Sequence, residues 1–196
     1  MSETPVFGLV LSGGESRRMG QDKALLERDG LSQLAFVMAL LEPLVERAFV
    51  STRAAQKDEP ERRRYAQIVD QYDDMGPLAG ILSAMDAYPD VDWLIVACDL
   101  PNIGTEMLRH LLANRSKDHP FTAYVSSYDG LPEPLCAIYR AGSAKSIHKF
   151  AKDGIHCPRK ILIRSDTSLL AQLDPASLDN INTPDELANS VLEATS

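Results

Sequence analysis

A glycine-rich and cation-rich segment follows the first apolar run of the chain. Residues 9–26 read LVLSGGESRRMGQDKALL, and the residues of interest there are Gly13, Gly14, Arg17, Arg18, Gly20 and Lys23. Because glycine has no Cβ, the backbone N–H groups beside it can approach a phosphate closely. Arginine offers forked donors to phosphate oxygens, and lysine offers a compact charge. The segment therefore predicts a loop that holds a polyphosphate.

The spacing of this segment differs from two better-known phosphate motifs. The P-loop needs a Gly-Lys pair, and the sequence has none. The dinucleotide fingerprint G-x-G-x-x-G does not fit a Gly13-Gly14 pair followed by five residues before Gly20. Three cations favour a highly charged ligand such as a nucleoside triphosphate. The alternative is a solvated surface loop between a strand and a helix.

A carboxylate stands directly after the most apolar run of the chain, Trp93–Ala97. In open α/β sheets, ligands bind outside the carboxyl ends of the strands. Asp99, facing a triphosphate loop, is then well placed to hold Mg²⁺ through one carboxylate and the phosphates. The sequence predicts Asp99 as the metal ligand. The alternative is a strand-end turn aspartate before Pro101.

A second carboxylate, Asp70, ends another short strand-like run, and Gly76-Pro77 begins a helix after it. A glycine at that position lets a base or a ribose approach the backbone. Asp70 then accepts a hydrogen bond from a guanine edge or from the ribose. The alternative, a helix start rich in acids that favour the helix dipole, explains Asp73 and Asp74 adequately.

Two asparagines near the end of the chain, Asn180 and Asn182, are separated by one residue. An extended backbone places such a pair on one face. Two amides on one face suit a metal site or a polar ligand. Taken alone, the segment is a capped start of a helix.

Composition bounds the class of protein. We expect a single domain over residues 1–196, since domains commonly reach about 250 residues. A formal net charge of −8 argues against a general nucleic-acid or anionic-membrane binder. The sequence contains no apolar run near the roughly 20 residues that a membrane span needs, and the N-terminus lacks the features of a signal peptide. Its three cysteines form neither a disulfide framework nor a zinc pattern, so we expect a reducing, cytoplasmic location.

Strand-like and helix-like segments alternate, which predicts an α/β fold with a mainly parallel sheet and helices on both faces. The expected strands are Val6–Leu11, Ala48–Ser51, Gln67–Val69, Trp93–Ala97, Thr122–Ser126, Leu135–Tyr139 and Lys160–Ile163. The expected helices are Leu31–Val45, with Ser32 as N-cap, then Leu78–Ala87, Thr105–Asn114, Ser143–Lys152 and Pro184–Glu193. The run Lys57–Arg64 mixes charges and is expected to be a solvated helix face, while Trp93 and Cys98 are expected in the core.

Four blocks, in order, resemble the molybdenum cofactor guanylyltransferase family. It belongs to the nucleotidyltransferases that begin with Leu-x-Gly-Gly-x-x-x-Arg-Met-Gly-x-Asp-Lys. The matching blocks are residues 11–23, 76–80, 98–101 and 180–184. The chain departs from the family at Ser12, where alanine is usual, at residues 51–53, where asparagine is frequent, and in a loop one residue shorter than in some members.

The resemblance implies a Rossmann-like nucleotidyltransferase fold, with GMP transferred from GTP to molybdopterin and pyrophosphate released. GTP and the pterin would be bound by Leu11, Ser12, Gly13, Gly14, Lys23, Ser51, Asp70, Gly76, Asp99, Asn180 and Asn182. Arg17, Lys23 and Asp99 would be catalytic, with Mg²⁺ on Asp99, and Pro134 would lie on the acceptor side. A related enzyme using CTP or another phosphorylated acceptor, and a non-catalytic nucleotide-binding module, are the alternatives.

The resemblance also implies partners. Proteins that deliver the cofactor and proteins that mature molybdoenzymes would meet the chain, which is expected to be a monomer or a weak homo-oligomer. No nucleic acid and no membrane is expected among the partners.

Overall fold

The structure, a computed structural model, describes residues 4–12, 22–28 and 30–179. Within this part of the chain, seven strands form one sheet, namely β1 (Val6–Leu11), β4 (Arg47–Thr52), β5 (Gln67–Val69), β6 (Asp92–Ala97), β7 (Phe121–Val125), β8 (Pro132–Tyr139) and β9 (Thr167–Leu170). Their order in the sheet is β5-β4-β1-β6-β8-β7-β9. Strand β8 runs antiparallel to both of its neighbours, and every other pairing is parallel. The prediction of a mainly parallel sheet is confirmed.

Helices cover both faces of this sheet. They are α1 (Gln33–Leu41), α2 (Pro77–Ala87), α3 (Thr105–Ala113), α4 (Ala144–Lys152) and α5 (Pro158–Ile163), and a two-stranded ribbon of β2 (Glu27–Arg28) and β3 (Leu31–Ser32) precedes α1. Helices α1 and α3 pack into one hydrophobic cluster, and α2, α4 and α5 into another. The fold is therefore a layered α/β arrangement with the sheet in the middle.

Strand β6 lies between the two clusters. Leu94 and Val96 belong to the first cluster, Trp93 and Ile95 to the second, and all four are fully buried. Burying such a side chain contributes roughly 1.5–3 kcal/mol. This burial on both faces is the reason for the continuous apolar run. The strand ends where the run ends, and Asp99 lies just after that end.

Helix α1 begins as predicted, because the Ser32 hydroxyl accepts a hydrogen bond from the backbone N–H of Ala35 at 3.0 Å. It ends at Leu41, earlier than the predicted Val45, and a 3-10 turn over Glu42–Leu44 follows. Pro43 lies in that turn, and proline has no N–H with which to continue a helix.

The predicted strand over Lys160–Ile163 is wrong, since these residues belong to α5. A short apolar run does not distinguish a strand from a buried helix turn, and Pro158 at the first helical position decides for the helix. Strand β9, which pairs with β7 at the edge of the sheet, was not predicted. The predicted helix Pro184–Glu193 lies outside the described residues. Along the described chain, no helix is long and apolar enough to cross a bilayer.

Candidate nucleotide site

A cavity of about 250 Å³ opens where the parallel strands end at their carboxyl side. From β1 the chain crosses to β4 on one side, and β6 lies on the other side, so the strand order reverses at β1. Such a switch point is where α/β sheets bind ligands. The lining residues include Leu11, Ser12, Asp22, Lys23, Ser51, Asp70, Gly76, Gly80 and Asp99.

Lys23 and Asp99 meet in this cavity although they are 76 positions apart in the chain. Lys23 Nζ lies 3.3 Å from Asp99 Oδ2, and the two side chains are 15% and 24% exposed. Asp99 follows β6 because that buried strand ends at Ala97. Lys23 begins a 3-10 turn that Asp22 caps by accepting a hydrogen bond from the Ala24 N–H at 3.1 Å. One cation and one carboxylate are thus held together in the cleft.

The donors around Asp99 suit a metal that arrives with a nucleotide better than one held by the protein alone. In the described ranges, no group of three or more His, Cys, Asp or Glu side chains is arranged to hold a metal. Mg²⁺ commonly binds through one or two carboxylates plus substrate phosphates and waters. Cys98 is buried, and burial with the Asp99 charge beside it raises the pKa of its thiol far above the usual value. It therefore stays a neutral thiol in the core, as predicted.

Asp70 is held by the end of strand β4. The Ser51 hydroxyl donates to Asp70 Oδ1 at 2.7 Å, and the Asp70 N–H donates to the Thr52 carbonyl at 2.8 Å. Burial raises the pKa of the Asp70 carboxyl, and the Ser51 hydrogen bond and the charge of Arg53 act in the opposite direction. Asp70 is thus a fixed, partly desolvated acceptor at the cavity wall.

Two glycines shape the beginning of helix α2, where it lies beside the strand ends. Gly76 caps the helix at φ +56° and ψ −137°, a conformation that a side chain would strain. A Cβ on Gly80 would overlap the Ser51 hydroxyl and would stand 3.0 Å from Leu11 Cδ2. The beginning of α2 therefore forms a wall of the cavity, next to Asp70.

The prediction of a solvated helix over Lys57–Arg64 is wrong. A 3-10 turn over Ala54–Gln56 precedes the segment, a second 3-10 turn over Arg62–Arg64 ends it, and Arg62 is fully buried. Its Nη2 donates to the Ser12 carbonyl at 2.7 Å and to the Asp22 carboxylate at 3.0 Å. The three consecutive arginines gave no periodic signal to single out the one that turns inward.

Several predicted site residues lie outside the described part of the chain, namely Gly13, Gly14, Arg17, Asn180 and Asn182. Of the others, the structure brings Leu11, Ser12, Lys23, Ser51, Asp70, Gly76 and Asp99 to one cavity. Their roles toward a ligand stay predictions.

A second cavity, of about 380 Å³, adjoins the first and shares Pro77 and Leu135 with it. Pro134 and Arg159 line it. Arg159 donates to Glu133 Oε2 at 2.7 Å and to Asp129 Oδ2 at 3.1 Å. The guanidinium is thus fixed between two carboxylates at the wall of this cavity.

The fold and the cleft together define a class, the nucleotidyltransferases of Rossmann-like fold, which bind a nucleotide at the carboxyl edge of a mainly parallel sheet. Residues 8–169 match the model of the MobA-like NTP transferase domain, and the chain belongs to that family.

Curated relatives agree with this assignment. The molybdenum cofactor guanylyltransferase of Pseudomonas aeruginosa is 34% identical, with 94% of each chain covered. The molybdenum cofactor biosynthesis bifunctional protein of Synechocystis is 38% identical over 95% of this chain. This chain spans about half of that relative's length, 54%. Among solved structures, molybdopterin-guanine dinucleotide biosynthesis protein A from Archaeoglobus fulgidus matches with a TM-score of 0.75 at 25% identity, covering 93% of this chain and 95% of that one.

Proposed function

We propose that this chain transfers GMP from GTP to the terminal phosphate of molybdopterin, releasing pyrophosphate and forming the guanine dinucleotide cofactor. The observation that carries the proposal is the meeting of Lys23 and Asp99, at 3.3 Å, in a cleft that also contains Asp70. The names of the relatives from Pseudomonas aeruginosa and Archaeoglobus fulgidus support this choice of reaction.

The reaction needs positioning and charge neutralisation more than a base. An acceptor phosphate is already ionised at neutral pH, so its oxygen can attack the α-phosphorus of GTP while the bond to pyrophosphate breaks. Lys23 would stabilise the charge that develops on the α-phosphoryl group and on the departing pyrophosphate. Arg17 is proposed for the same task from the sequence alone. Mg²⁺, bound by Asp99 and the phosphates, would supply further neutralisation of that charge.

Asp70 supports guanine as the base. A carboxylate accepts hydrogen bonds at two oxygens, and the Watson–Crick edge of guanine offers two neighbouring donors, N1–H and the 2-amino group. Cytosine offers only its 4-amino donor on that edge. Because the Ser51 hydroxyl fixes the carboxylate in place, the pair of acceptors is preorganised. The base would therefore lie on the Asp70 and Gly76 side of the cavity.

The second cavity suits the acceptor. It adjoins the nucleotide cavity at Pro77 and Leu135, so a molecule in it would lie beside a nucleotide bound in the first cavity. Arg159 and Pro134 line it, and a pterin presents flat polar edges that an arginine can approach. Asn180 and Asn182 are proposed on the same side from the sequence. Delivery and maturation proteins would supply the acceptor and take up the product.

The test uses the purified chain with molybdopterin, Mg²⁺ and either GTP or CTP, with release of pyrophosphate and the dinucleotide product as readouts. We expect product from GTP. Lys23→Ala and Asp99→Ala should each lower the rate by roughly 10²–10³, the usual effect of removing one preorganised charge contact. Exposed Lys145→Ala and Asp90→Ala serve as matched controls and should turn over normally.

Each other outcome points to a different alternative. Preference for CTP would favour a cytidylyl enzyme, and nucleotide binding without pyrophosphate release would favour a non-catalytic module. Near-normal turnover by both Lys23→Ala and Asp99→Ala would rule out the assigned site.

A further inference from the structure

A buried guanidinium lies behind the wall of the nucleotide cavity. Arg62 has no exposed surface, so it does not reach a ligand itself. Its Nη2 donates to the Ser12 carbonyl at 2.7 Å, and its Nε donates to the Ser12 hydroxyl at 3.1 Å. The same Nη2 lies 2.8 Å from Asp22 Oδ2. Arg62 therefore joins the residue after β1 to the residue before Lys23.

The surroundings of Arg62 are built to hold this geometry. Nη1 forms an ion pair with Glu59 at 3.2 Å, and Glu59 also accepts from the backbone N–H groups of Arg62 and Glu61, each at 3.0 Å. The Ser12 hydroxyl in turn donates to the Ser51 carbonyl at 2.9 Å. One cation thus compensates two carboxylates and satisfies a strand-end carbonyl, a combination that requires a planar fork of donors.

We infer that Arg62 is a positioning residue of the nucleotide site, because its guanidinium fixes Asp22 against the end of β1 and so sets where Lys23 stands relative to Asp99. Asp22 caps the turn that begins at Lys23, so a displaced Asp22 carries Lys23 with it. The inference rests on the nucleotide cleft of the proposed function and is independent of which base or acceptor the enzyme uses.

Removing Arg62 would leave the Asp22 and Glu59 carboxylates partly buried without their cation, which raises the free energy of the present arrangement. The turn at residues 22–25 would then relax toward solvent. A lysine restores the charge but cannot donate to Ser12 and Asp22 in the same plane. The geometry of the site therefore depends on the forked shape of the arginine side chain as well as on its charge.

The experiment compares Arg62→Met and Arg62→Lys with the wild type, using equilibrium binding of the Mg²⁺ complexes of GTP and CTP together with kcat and KM. Arg64→Met is the matched control, since Arg64 is 63% exposed and pairs with Glu61 on the surface. We expect both Arg62 variants to bind the nucleotide roughly 10- to 100-fold more weakly, the loss that is typical when the hydrogen-bond partner of a metal ligand is removed. Arg64→Met should bind within about twofold of the wild type.

A double-mutant cycle separates positioning from a general loss of stability. Asp22→Asn keeps the shape of the side chain and should weaken nucleotide binding in the same way. If Arg62 acts through Asp22, the fold-changes of Arg62→Met and Asp22→Asn should combine to less than their product. Circular dichroism and thermal unfolding of every variant identify a temperature at which all the variants are folded, and binding is compared at that temperature.

A folded Arg62→Met that binds nucleotide as tightly as the wild type would overturn the inference, as would fold-changes that simply multiply. The proposed function can fail separately. A preference for CTP, or the absence of a molybdopterin product, would contradict that proposal. The ratio of the dissociation constants of the Arg62 variants and the wild type is measured with whichever nucleotide the wild type binds, so it tests the inference separately.

Discussion

At Asp70, burial and a serine hydroxyl act on the same carboxyl group in opposite directions. Burial is the larger effect and raises the pKa above its usual value, while the Ser51 hydrogen bond at 2.7 Å lowers it. As the pH falls, Asp70 therefore takes up a proton earlier than an exposed aspartate does. Burial favours the protonated form of Asp70 in the folded state. The contribution of this group to the free energy of unfolding is therefore present at low pH and is lost as the pH rises through the pKa of Asp70 in the folded protein.

Because the Asp70 pKa is raised, we expect the affinity for GTP to fall on acidification at a pH above the pKa of an exposed aspartate. A protonated Asp70 would lose acceptor capacity toward the base that we propose it binds. The measurement is a titration of GTP affinity against pH by calorimetry. Asp70→Asn should bind roughly 10- to 100-fold more weakly near neutral pH, the effect of losing hydrogen bonds to a charged acceptor. The same variant should show a smaller acidic decline than the wild type, since only the protonation of the terminal phosphate of GTP remains, and an equal decline in both would assign the titration to another group.

At the scale of single residues, the sequence alone allowed us to predict the carboxylates that directly follow strands. Asp70 and Asp99 were found because each follows an apolar run, and the parallel sheet brings those positions to one edge. Arg62 was missed because its burial depends on contacts with Ser12 and Asp22, which are 50 and 40 positions away. No local spacing encodes such a contact, so it required the folded chain.

Helix α2 owes its place against the strand ends to Gly80. An alanine there would overlap the Ser51 hydroxyl, and Ser51 Cβ and Leu11 Cδ2 each stand 3.0 Å from the added atom. Either the helix moves away, or Ser51 rotates and releases Asp70. We expect Gly80→Ala to lower the free energy of unfolding, because overpacking costs about 1–3 kcal/mol and the gain in helix propensity is at most about 1 kcal/mol. GTP affinity should fall with it.

Urea denaturation and nucleotide binding measure the two effects of Gly80→Ala. The control is the same substitution in a Ser51→Ala background, where the overlapping hydroxyl is gone and the loss of stability should be smaller. An equal loss in both backgrounds would show that the helix does not press on Ser51.

The elements whose composition is determined by burial in the folded protein were predicted well from the sequence. Strand β6 was found within one residue because burial on both faces demands apolar side chains throughout. Helix α5 was mistaken for a strand, because its run of four residues is too short to show a period. Strand β9 pairs with one neighbour and is only partly buried, so its sequence carries a weak pattern.

Over the whole molecule, the cleft is assembled from distant parts of the chain, with walls from β1, β4, β6 and α2, from Asp70 after β5 and from the turn at Lys23. A ligand held there binds the folded state and not the unfolded chain, so it raises the stability of the whole. At one hundred times its dissociation constant, a nucleotide adds about 2.7 kcal/mol. For a chain of this size that corresponds to a rise in Tm of roughly 5–10 °C.

The metal should matter for this stabilisation only when the nucleotide is present. Asp99 pairs with Lys23, and within the described ranges no three-ligand cluster surrounds it, so Mg²⁺ alone has few protein ligands. We expect Mg²⁺ alone to leave Tm nearly unchanged, GTP with EDTA to raise it modestly, and GTP with Mg²⁺ to raise it fully. Asp99→Asn should remove most of the difference between the last two conditions, because it would weaken the proposed protein ligand of the metal. Differential scanning fluorimetry measures Tm under each of the three conditions, for the wild type and for Asp99→Asn. Equal stabilisation of the wild type by GTP with Mg²⁺ and by GTP with EDTA would mean that the cleft binds the triphosphate through its cations alone.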